Sequence, residues 1–266
     1  MTALNQVNAY DADFHVAEIY DQSETELDDV DFIRKLIGKS GPLKILEPFC
    51  GTGRILIPLA LDGHIVHGMD QSAGMLERAQ QKVQNLALDA QKRVSLSHAD
   101  VLSEAWPCDF DLVILGSNCF YELATSDEQA KCIVQAFQSL KPGGQLFLDN
   151  DHMENDLAPS WQNIGIVKPS LSGKCSDGTL VESTREAVWL DAPRRLARFR
   201  RRMKVTLPDG NTIEQEYIQQ KHPVSQREVQ NWLENYGFAI DGIYGNHDGR
   251  TYTDLSPRAI FWARRS

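Results

Sequence analysis

The stretch ILEPFCGTGR, residues 45–54, joins an apolar run to an acidic residue and to a turn that contains two glycines. A short apolar run bounded by turn residues is typical of a buried strand. Gly51 and Gly53 allow the turn to pass close to a ligand, and the N-terminus of a following helix would offer free N–H groups to an anion. The stretch therefore predicts a strand, a ligand-binding turn and a helix.

Further apolar runs along the chain alternate with amphipathic stretches. The predicted strands are LKILEP (43–48), HIVHGMD (64–70), RVSLSHAD (93–100), FDLVILG (110–116) and GQLFLDN (144–150). Helical spacing is found at 53–62, 72–87 and 127–140, and KPGG (141–144) is expected to break the chain before the fifth strand. Strands that alternate with helices predict a parallel sheet covered on both faces, with ligands bound at the carboxyl ends of the strands.

Two helices carry specific expectations. Residues 14–37 have helical spacing throughout, and Gly38 is the predicted end of that helix. Pro58 lies about one turn into the helix predicted over 53–62. Because proline has no N–H, we expect it to remove a hydrogen bond to Arg54 and to bend this helix.

The pattern changes after the fifth predicted strand. From about 154 to 222 the apolar residues alternate with period two, which predicts an antiparallel insert, and PDG at 208–210 marks a turn between two of its strands. Ser225 and Glu228 have the spacing of a capping box at the start of a further helix. The final predicted strands are AIDGIYG (239–245) and PRAIFWARR (257–265).

Composition restricts the partners and the compartment. The formal net charge of −10 over 266 residues argues against a broad surface for nucleic acid or anionic membrane, since both need clustered positive charge. The five cysteines form no C-x-x-C pair, so neither a disulfide framework nor a metal site is predicted. No segment approaches the ~20 apolar residues of a membrane span and no signal-peptide pattern is present, so we expect a cytoplasmic protein.

Acidic residues end the second and third predicted strands. Asp70 lies where its carboxylate could accept hydrogen bonds from the two hydroxyls of a ribose. This position alone does not distinguish a dinucleotide from any other nucleoside cofactor. Asp100 lies where a carboxylate can accept from an adenine amino group, beside the N–H of Val101. At this point the sequence resembles the class I S-adenosylmethionine-dependent methyltransferases. The matching pieces, over roughly residues 40–150, are ILEPFCGTGR, HGMDQSAGMLERA, SHADVL, FDLVILGSNCFYEL and SLKPGGQLFLDN.

The resemblance implies a fold and a division of the chain. The fold is α/β, with a Rossmann-like, mostly parallel seven-stranded sheet and an antiparallel β insert, a lid, after the fifth strand. Residues 1–153 would form the N-terminal helix and the cofactor-binding core, and residues 154–222 the insert over the substrate. Residues 223–266 would form the closing helix and hairpin of the core.

The resemblance also implies S-adenosylmethionine as the cofactor and a set of residues around it. These are Glu47, Gly51, Gly53 and Arg54 in the turn, Asp70, Gln71, Met75, Asp100 and Val101 around the ribose and adenine, and Gly116 and Ser117 near the methionine amino group. Phe49 stands where the first glycine of the family usually lies, so the turn must reach the cofactor with its two remaining glycines.

Aromatic and basic residues are the candidates for the methyl-transfer step. The positive sulfonium favours aromatic faces, and a general base is needed only for an acceptor that arrives protonated, such as a hydroxyl. The aromatic candidates are Tyr10, Tyr20, Phe120 and Tyr121. His152, beside Asp149 and Asp151, is the candidate base, and His247 is a second.

Three residues are candidates for contact with the methyl acceptor: Asn118, Tyr121 and Arg201. Asn118 lies where amino-methyltransferases carry an N-P-P-Y type motif, but both prolines are missing, which weakens a nucleobase target. Alternation along RRLARFRRRMK (194–204) places most of its basic residues on one face of a strand. Arg201 falls on the opposite, apolar face, from which we expect it to reach an acidic group of the substrate or a buried carboxylate.

The sequence predicts a methyltransferase that acts on nitrogen or oxygen of a small molecule, enclosed by the insert and the N-terminal helix. A methyltransferase for a protein side chain or RNA is the alternative. An oxidoreductase is less favoured because Leu56 occupies the third glycine position of G-x-G-x-x-G. A cofactor-binding regulator without catalysis would share the same cofactor residues, since fold does not fix function.

Overall fold

The computed structural model describes residues 14–152 and 159–266. Its helices are α1 (Phe14–Ser23), α2 (Asp28–Ile37), α3 (Leu56–Leu61), α4 (Ala73–Gln84), α5 (Leu88–Gln91), α6 (Ser126–Ser139), α7 (Pro159–Gln162) and α8 (Gln226–Asn235). Its strands are β1 (Lys44–Glu47), β2 (Ile65–Asp70), β3 (Val94–His98), β4 (Phe110–Leu115), β5 (Leu140–Asp151), β6 (Val167–Pro169), β7 (Gly173–Lys174), β8 (Leu180–Asp191), β9 (Leu196–Thr206), β10 (Thr212–Lys221), β11 (Phe238–Tyr244) and β12 (Arg258–Arg265). None of these helices is long and apolar enough to cross a bilayer.

Within the described residues, seven strands form the main sheet in the order β11-β12-β5-β4-β1-β2-β3. The strands from β1 to β5 pair in parallel, and β11 and β12 add an antiparallel edge next to β5. The interior strands are almost wholly buried because helices cover both faces of the sheet. The predicted α/β fold with a mostly parallel seven-stranded sheet is confirmed.

The strand order reverses beside β1. From β1 the chain continues outward to β2 and β3 on one side, whereas β4 pairs with β1 on the other side and leads to β5. Ligands of open α/β sheets bind in the crevice outside the carboxyl ends of the strands at such a switch point. The loops that follow β1 and β4 flank this crevice.

A second, antiparallel sheet, here termed the insert sheet, is formed within the described residues by β10-β9-β8-β6, with β7 also paired to β8. Its inner face packs on the core, where Phe199 of β9 meets Trp161 with ring centroids 5.0 Å apart. Trp161 in turn contacts Tyr121, which follows β4. The turn predicted at 208–210 joins β9 to β10, with Gly210 at a positive φ of 87°. The antiparallel insert is therefore confirmed.

Helix α1 connects the main sheet to the insert sheet. Its Asp21 accepts a hydrogen bond of 2.6 Å from the hydroxyl of Thr52 in the turn after β1 and pairs with Arg78 of α4. On the same helix, Glu18 accepts from the backbone N–H of Ser176 at 2.7 Å. Helix α1 thus contacts both the turn after β1 and the insert sheet.

The single helix predicted over residues 14–37 is wrong, because residues 24–27 interrupt it. Acidic residues favour a helix N-terminus, and Asp28, Asp29 and Asp31 stand in the first turn of α2. These three residues therefore mark the N-terminus of a second helix. The predicted end at Gly38 is confirmed, since this residue caps α2 with φ of 66° and donates to the carbonyl of Arg34.

Helix α3 begins at Leu56, so Pro58 lies in its first turn. The N–H of Ile57 donates to Gly53 and that of Leu59 to Ile55, so the series lacks the bond that an N–H at position 58 would give to Arg54. One other local expectation needs correction. The KPGG segment (141–144) was expected to form a break before β5, but it lies within this strand as a β-bulge. Strand β5 begins at Leu140, which pairs with Phe110, and residues 141–144 bulge outward before the pairing resumes at Gln145.

Candidate functional site

A cavity of about 1050 Å³ lies at the carboxyl ends of the parallel strands. This volume is at the top of the ~300–1,000 Å³ typical of small-molecule sites, so it can hold two ligands side by side. Its walls come from the loops after the first four strands, from the link between α1 and α2, and from the inner face of the insert sheet.

Most of the residues predicted to hold the cofactor line this cavity. Those that do are Gly51, Arg54, Asp70, Gln71, Met75, Asp100, Val101, Gly116 and Ser117. Gly53 lies behind the turn instead, at φ of 76°, where an added Cβ would stand 3.0 Å from Ile57. Glu47 is also behind the turn, and burial raises the pKa of its carboxyl group well above the usual range.

Asp70 organises the turn after β1. One of its carboxylate oxygens accepts from the N–H of Gly51 at 2.8 Å, and the other accepts from the N–H of Ser72 at 2.9 Å. A carboxylate oxygen can accept more than one hydrogen bond, so both can also receive a pair of ribose hydroxyls. Gly51 has φ of 51°, and an added Cβ there would meet no atom within 4 Å, so its open side faces space that a ligand can fill.

The loop after β3 forms a second carboxylate site. Asp100 accepts from the N–H of Leu102 at 2.9 Å, which fixes its side chain at the cavity wall. Val101 is buried, and its carbonyl accepts from the indole N–H of Trp106 at 3.0 Å. The sequence-predicted adenine position is therefore a rigid edge with one carboxylate acceptor and apolar neighbours.

Arg54 places a positive charge at the opposite side of the turn. It donates to Asp29 at 2.9 Å and to the backbone carbonyl of Glu26 at 2.7 Å, and it also contacts the hydroxyl of Ser117. Burial alone would lower the pKa of Arg54, but its bonds to Asp29 outweigh burial and raise it. The guanidinium therefore stays charged while it ties α2 and the loop after β4 to the turn.

These groups match the chemistry of S-adenosylmethionine from one end to the other. Asp70 and Asp100 offer acceptors for the ribose hydroxyls and the adenine amino group, and Arg54 faces the end where a methionine carboxylate would lie. Gly51 leaves the space between them open to a ligand. The residues present fit the cofactor that the sequence predicted.

A histidine of the closing hairpin lies between two carboxylates in the cavity wall. His247 Nδ1 is 2.7 Å from Asp28 of α2, and its Nε2 is 3.0 Å from Asp149 of β5. Both ring nitrogens can donate only when the imidazole carries two protons. Burial alone would lower the pKa of His247, but the hydrogen bonds that its ring donates to Asp149 and Asp28 outweigh burial and raise it.

We expect the stability that His247 contributes to depend on pH. Because its pKa is raised in the folded state, the contribution is complete below the usual histidine value of 6.5 and is lost as pH rises through the folded-state pKa. Melting temperatures of the unchanged protein and of His247→Gln, measured from pH 6 to 9, should therefore converge with rising pH. A difference that stays constant over this range would contradict the charged imidazole.

A second network extends from Asp149 to the loop after β4. Arg258 of β12 donates to Asp149 at 2.6 Å and to Asp151 at 2.8 Å. Asn118 has a left-handed backbone with φ of 60°, and its side-chain oxygen accepts from the N–H of Asp151 at 2.6 Å. Tyr121 donates its hydroxyl to the carbonyl of Asp151 at 2.8 Å. Two of the predicted substrate residues, Asn118 and Tyr121, are thus held at the cavity wall.

Three of the residues predicted for the methyl-transfer step, Tyr20, Tyr121 and His247, line the cavity. Phe120, in contrast, is completely buried and does not reach it. His152 also lies outside the cavity wall, with its ring stacked on Tyr252 at 5.4 Å. Tyr10 falls outside the residues that the structure describes.

The insert sheet contributes polar residues that sequence reasoning missed. Lys221 of β10 forms an ion pair of 2.7 Å with Glu122 of the short 3-10 helix after β4, and Gln219 donates to the same carboxylate at 2.7 Å. Arg201 lies on the inner face as predicted, but it donates to Gln219 and to Ser170 and lines a small neighbouring cavity instead. The alternation in QQK (219–221) does place Gln219 and Lys221 on the same face of a strand. It does not reveal which loop of the core this face contacts.

Comparison with known proteins agrees with this geometry. A family model described as a methyltransferase domain matches residues 45–144. "Putative methyltransferase YqeM" of Bacillus subtilis (strain 168) is 34% identical over 106 residues, which are 40% of this chain and 41% of that protein. The matched region thus spans less than half of the length of this relative.

Two solved structures are similar over almost the whole chain. The CcbJ methyltransferase from Streptomyces caelestis has a TM-score of 0.70 at 18% identity, covering 98% of this chain and 99% of that one. CalS10, described as an amino pentose methyltransferase from Micromonospora echinaspora with S-adenosylmethionine bound, has a TM-score of 0.60 at 20% identity, covering 93% and 94%. The chain therefore carries a methyltransferase domain at residues 45–144 and shares its overall fold with these solved methyltransferases.

Proposed function

We propose that this protein transfers a methyl group from S-adenosylmethionine to a small molecule, and that the acceptor atom is nitrogen rather than oxygen. One observation carries the proposal. A single cavity runs from the Asp70 and Asp100 carboxylates, which suit the adenosine of the cofactor, to the inner face of the insert sheet. A second molecule can therefore lie next to the cofactor in a space lined by Trp161 and Lys221.

The protein would act mainly by alignment. In the proposed reaction the bound cofactor supplies a methyl group on a sulfonium: a bond forms from the acceptor nitrogen to the methyl carbon while the sulfur–carbon bond breaks, which leaves S-adenosylhomocysteine, and the amine proton passes to water. Asp100 and Arg54 would hold the two ends of the cofactor, and Asp70 would hold its ribose. Asn118 and Tyr121, fixed by Asp151, would form the wall against which the acceptor is positioned.

A small acceptor is supported by the volume of the cavity and by the charge distribution on the insert sheet. Two of the outward-facing cations of β9 are paired, since Arg200 meets Glu186 at 3.0 Å and Arg202 meets Glu216 at 2.7 Å. These pairs reduce the positive charge that this face offers to a nucleic-acid backbone. The CalS10 relative, described as an amino pentose methyltransferase, acts on a small amine by its name.

Nitrogen is favoured over oxygen as the acceptor atom because the groups at the cavity wall that could act as a general base are already engaged by other residues. Both nitrogens of His247 are engaged by carboxylates, and Arg258 occupies Asp149 and Asp151. Burial, followed by the nearby charge of Asp151, raises the pKa of Tyr121. A neutral amine loses its proton after attack without a poised base, whereas a hydroxyl needs one.

The test is the formation of S-adenosylhomocysteine from S-adenosylmethionine carrying a labelled methyl group. Matched pairs of small acceptors, each differing only in an amine or a hydroxyl at one carbon, are compared. We expect label to appear in amines and the hydroxyl partners to react more slowly. Transfer to hydroxyls at equal rates would overturn the nitrogen assignment, and transfer to protein or RNA in preference to every small acceptor would overturn the small-molecule assignment.

A further inference from the structure

Within the part of the chain that the structure describes, the inner face of the insert sheet carries more cations than contacting carboxylates. Arg185 of β8 and Arg201 of β9 are direct partners in the strand register, and Lys221 lies on β10. Among the described residues, the carboxylate that contacts these cations is Glu122, which pairs with Lys221 at 2.7 Å. Within the described residues, these three cations are thus accompanied by one contacting carboxylate, which pairs with Lys221.

Two of these cations have partners of their own. Lys221 is held by Glu122, and Arg201 donates to the side chains of Gln219 and Ser170. Arg185 differs from both. Within the described ranges its guanidinium makes no ion pair or hydrogen bond, although it lines the main cavity.

The position of Arg185 is fixed by an aromatic ring. Its guanidinium carbon lies 4.9 Å from the centroid of the Phe199 ring, and Phe199 is completely buried. Burial and the nearby charge of Arg201 both lower the pKa of Arg185. Like charges directly opposite each other on neighbouring strands destabilise a sheet. An anion placed in the cavity would relieve this repulsion.

The planar guanidinium presents N–H donors in a fork that matches the oxygens of a carboxylate or a phosphate. We propose that Arg185 binds an oxyanion group of the methyl acceptor, a carboxylate or a phosphate, at the end of the cavity formed by the insert sheet. This inference rests on the proposed function, because it names the chemical class of the second molecule. The acceptor is then a small amine that carries an anionic group.

The experiment measures anion binding apart from methyl transfer. Melting temperatures are recorded in sodium acetate and in sodium phosphate against sodium chloride at constant pH and ionic strength, each with and without S-adenosylhomocysteine. The variant is Arg185→Met. The control is Arg198→Met, because Arg198 also stacks on a ring of the same sheet, 4.6 Å from Trp189, but does not line the cavity.

We expect acetate or phosphate, at about ten times its dissociation constant, to raise the melting temperature of the unchanged protein and of Arg198→Met by roughly 3 °C. Arg185→Met should bind the anion about tenfold more weakly or worse. Arg185→Gln removes the same charge with less loss of polarity, so it gives the same test if Arg185→Met does not fold. The anion that stabilises more strongly assigns the group as carboxylate or phosphate.

Two results would overturn the proposal: no response of the unchanged protein to either anion, or an equal response of the charge-removing variants. The parallel samples separate this failure from failure of the proposed function. If S-adenosylhomocysteine does not stabilise the protein while an anion does so through Arg185, the methyltransferase assignment falls and the anion subsite remains.

Discussion

Replacement of Asp70 by asparagine is expected to weaken the binding of S-adenosylmethionine about a hundredfold. The carboxylate accepts from the backbone N–H groups of Gly51 and Ser72, and each hydrogen bond to a charged group contributes about 1.5–3 kcal/mol. Asparagine would turn an NH₂ group toward one of these N–H donors, so the turn would open. It would also remove the negative charge that accepts from the ribose hydroxyls.

Isothermal titration calorimetry of the unchanged protein and of Asp70→Asn measures this effect directly. The matched control is Asp241→Asn, because Asp241 lies on β11, pairs with Arg264 at 3.2 Å and is remote from the cavity wall. The control should bind the cofactor as the unchanged protein does. If Asp70→Asn kept full affinity, the turn after β1 would not be the site of the ribose.

The second large effect is expected on stability, from Glu122→Gln. This change leaves the positive charge of Lys221 without its carboxylate, and the Lys221 side chain is only 9% exposed while that of Glu122 is 25% exposed. Removing one partner of a buried ion pair costs about 3–5 kcal/mol. For a chain of this size a loss near 3 kcal/mol lowers the melting temperature by roughly 6–12 °C.

A double-mutant cycle separates the lost pairing from other effects of the substitution. Glu122→Gln combined with Lys221→Met removes both charges, so the double variant should be more stable than Glu122→Gln alone. Chemical denaturation of the four proteins gives the coupling free energy. If the two single effects simply added, the ion pair would not be what joins the insert sheet to the core.

The same pair should give a defined acid response. Burial alone would raise the pKa of Glu122, but the attraction of Lys221 outweighs burial and lowers it below the usual 4.5. The pair therefore stabilises the folded state above pH 4.5, and this contribution is lost as pH falls toward the folded-state value. Glu122→Gln should accordingly lose less stability than the unchanged protein between pH 5 and pH 3.

The core of the fold could be predicted from the sequence because its signals are local. Strands β1 to β5 appear as short apolar runs, and β1 and β2 end in the acidic residues Glu47 and Asp70. The cap of α8 was also predictable, since Ser225 and Glu228 form the expected capping box over three residues. Such features are determined by residues that are close together in the chain, so they can be predicted without knowing the tertiary contacts.

The acceptor end of the cavity could not be predicted because it depends on contacts between distant segments. Glu122 and Lys221 are 99 residues apart, and the register between the insert sheet and the loop after β4 decides that they meet. The same register places Arg185 rather than Arg201 in the main cavity.

The most direct test of the central assignment is thermal unfolding in the presence of S-adenosylmethionine, S-adenosylhomocysteine or NAD, with a sample without ligand beside them. A ligand at ~100 times its dissociation constant adds about 2.7 kcal/mol to the free energy of unfolding, a shift of roughly 5–10 °C. We expect both adenosyl sulfur compounds to stabilise the protein and NAD to have no effect. Stabilisation by NAD alone would contradict the account and assign the GTGR turn to a dinucleotide.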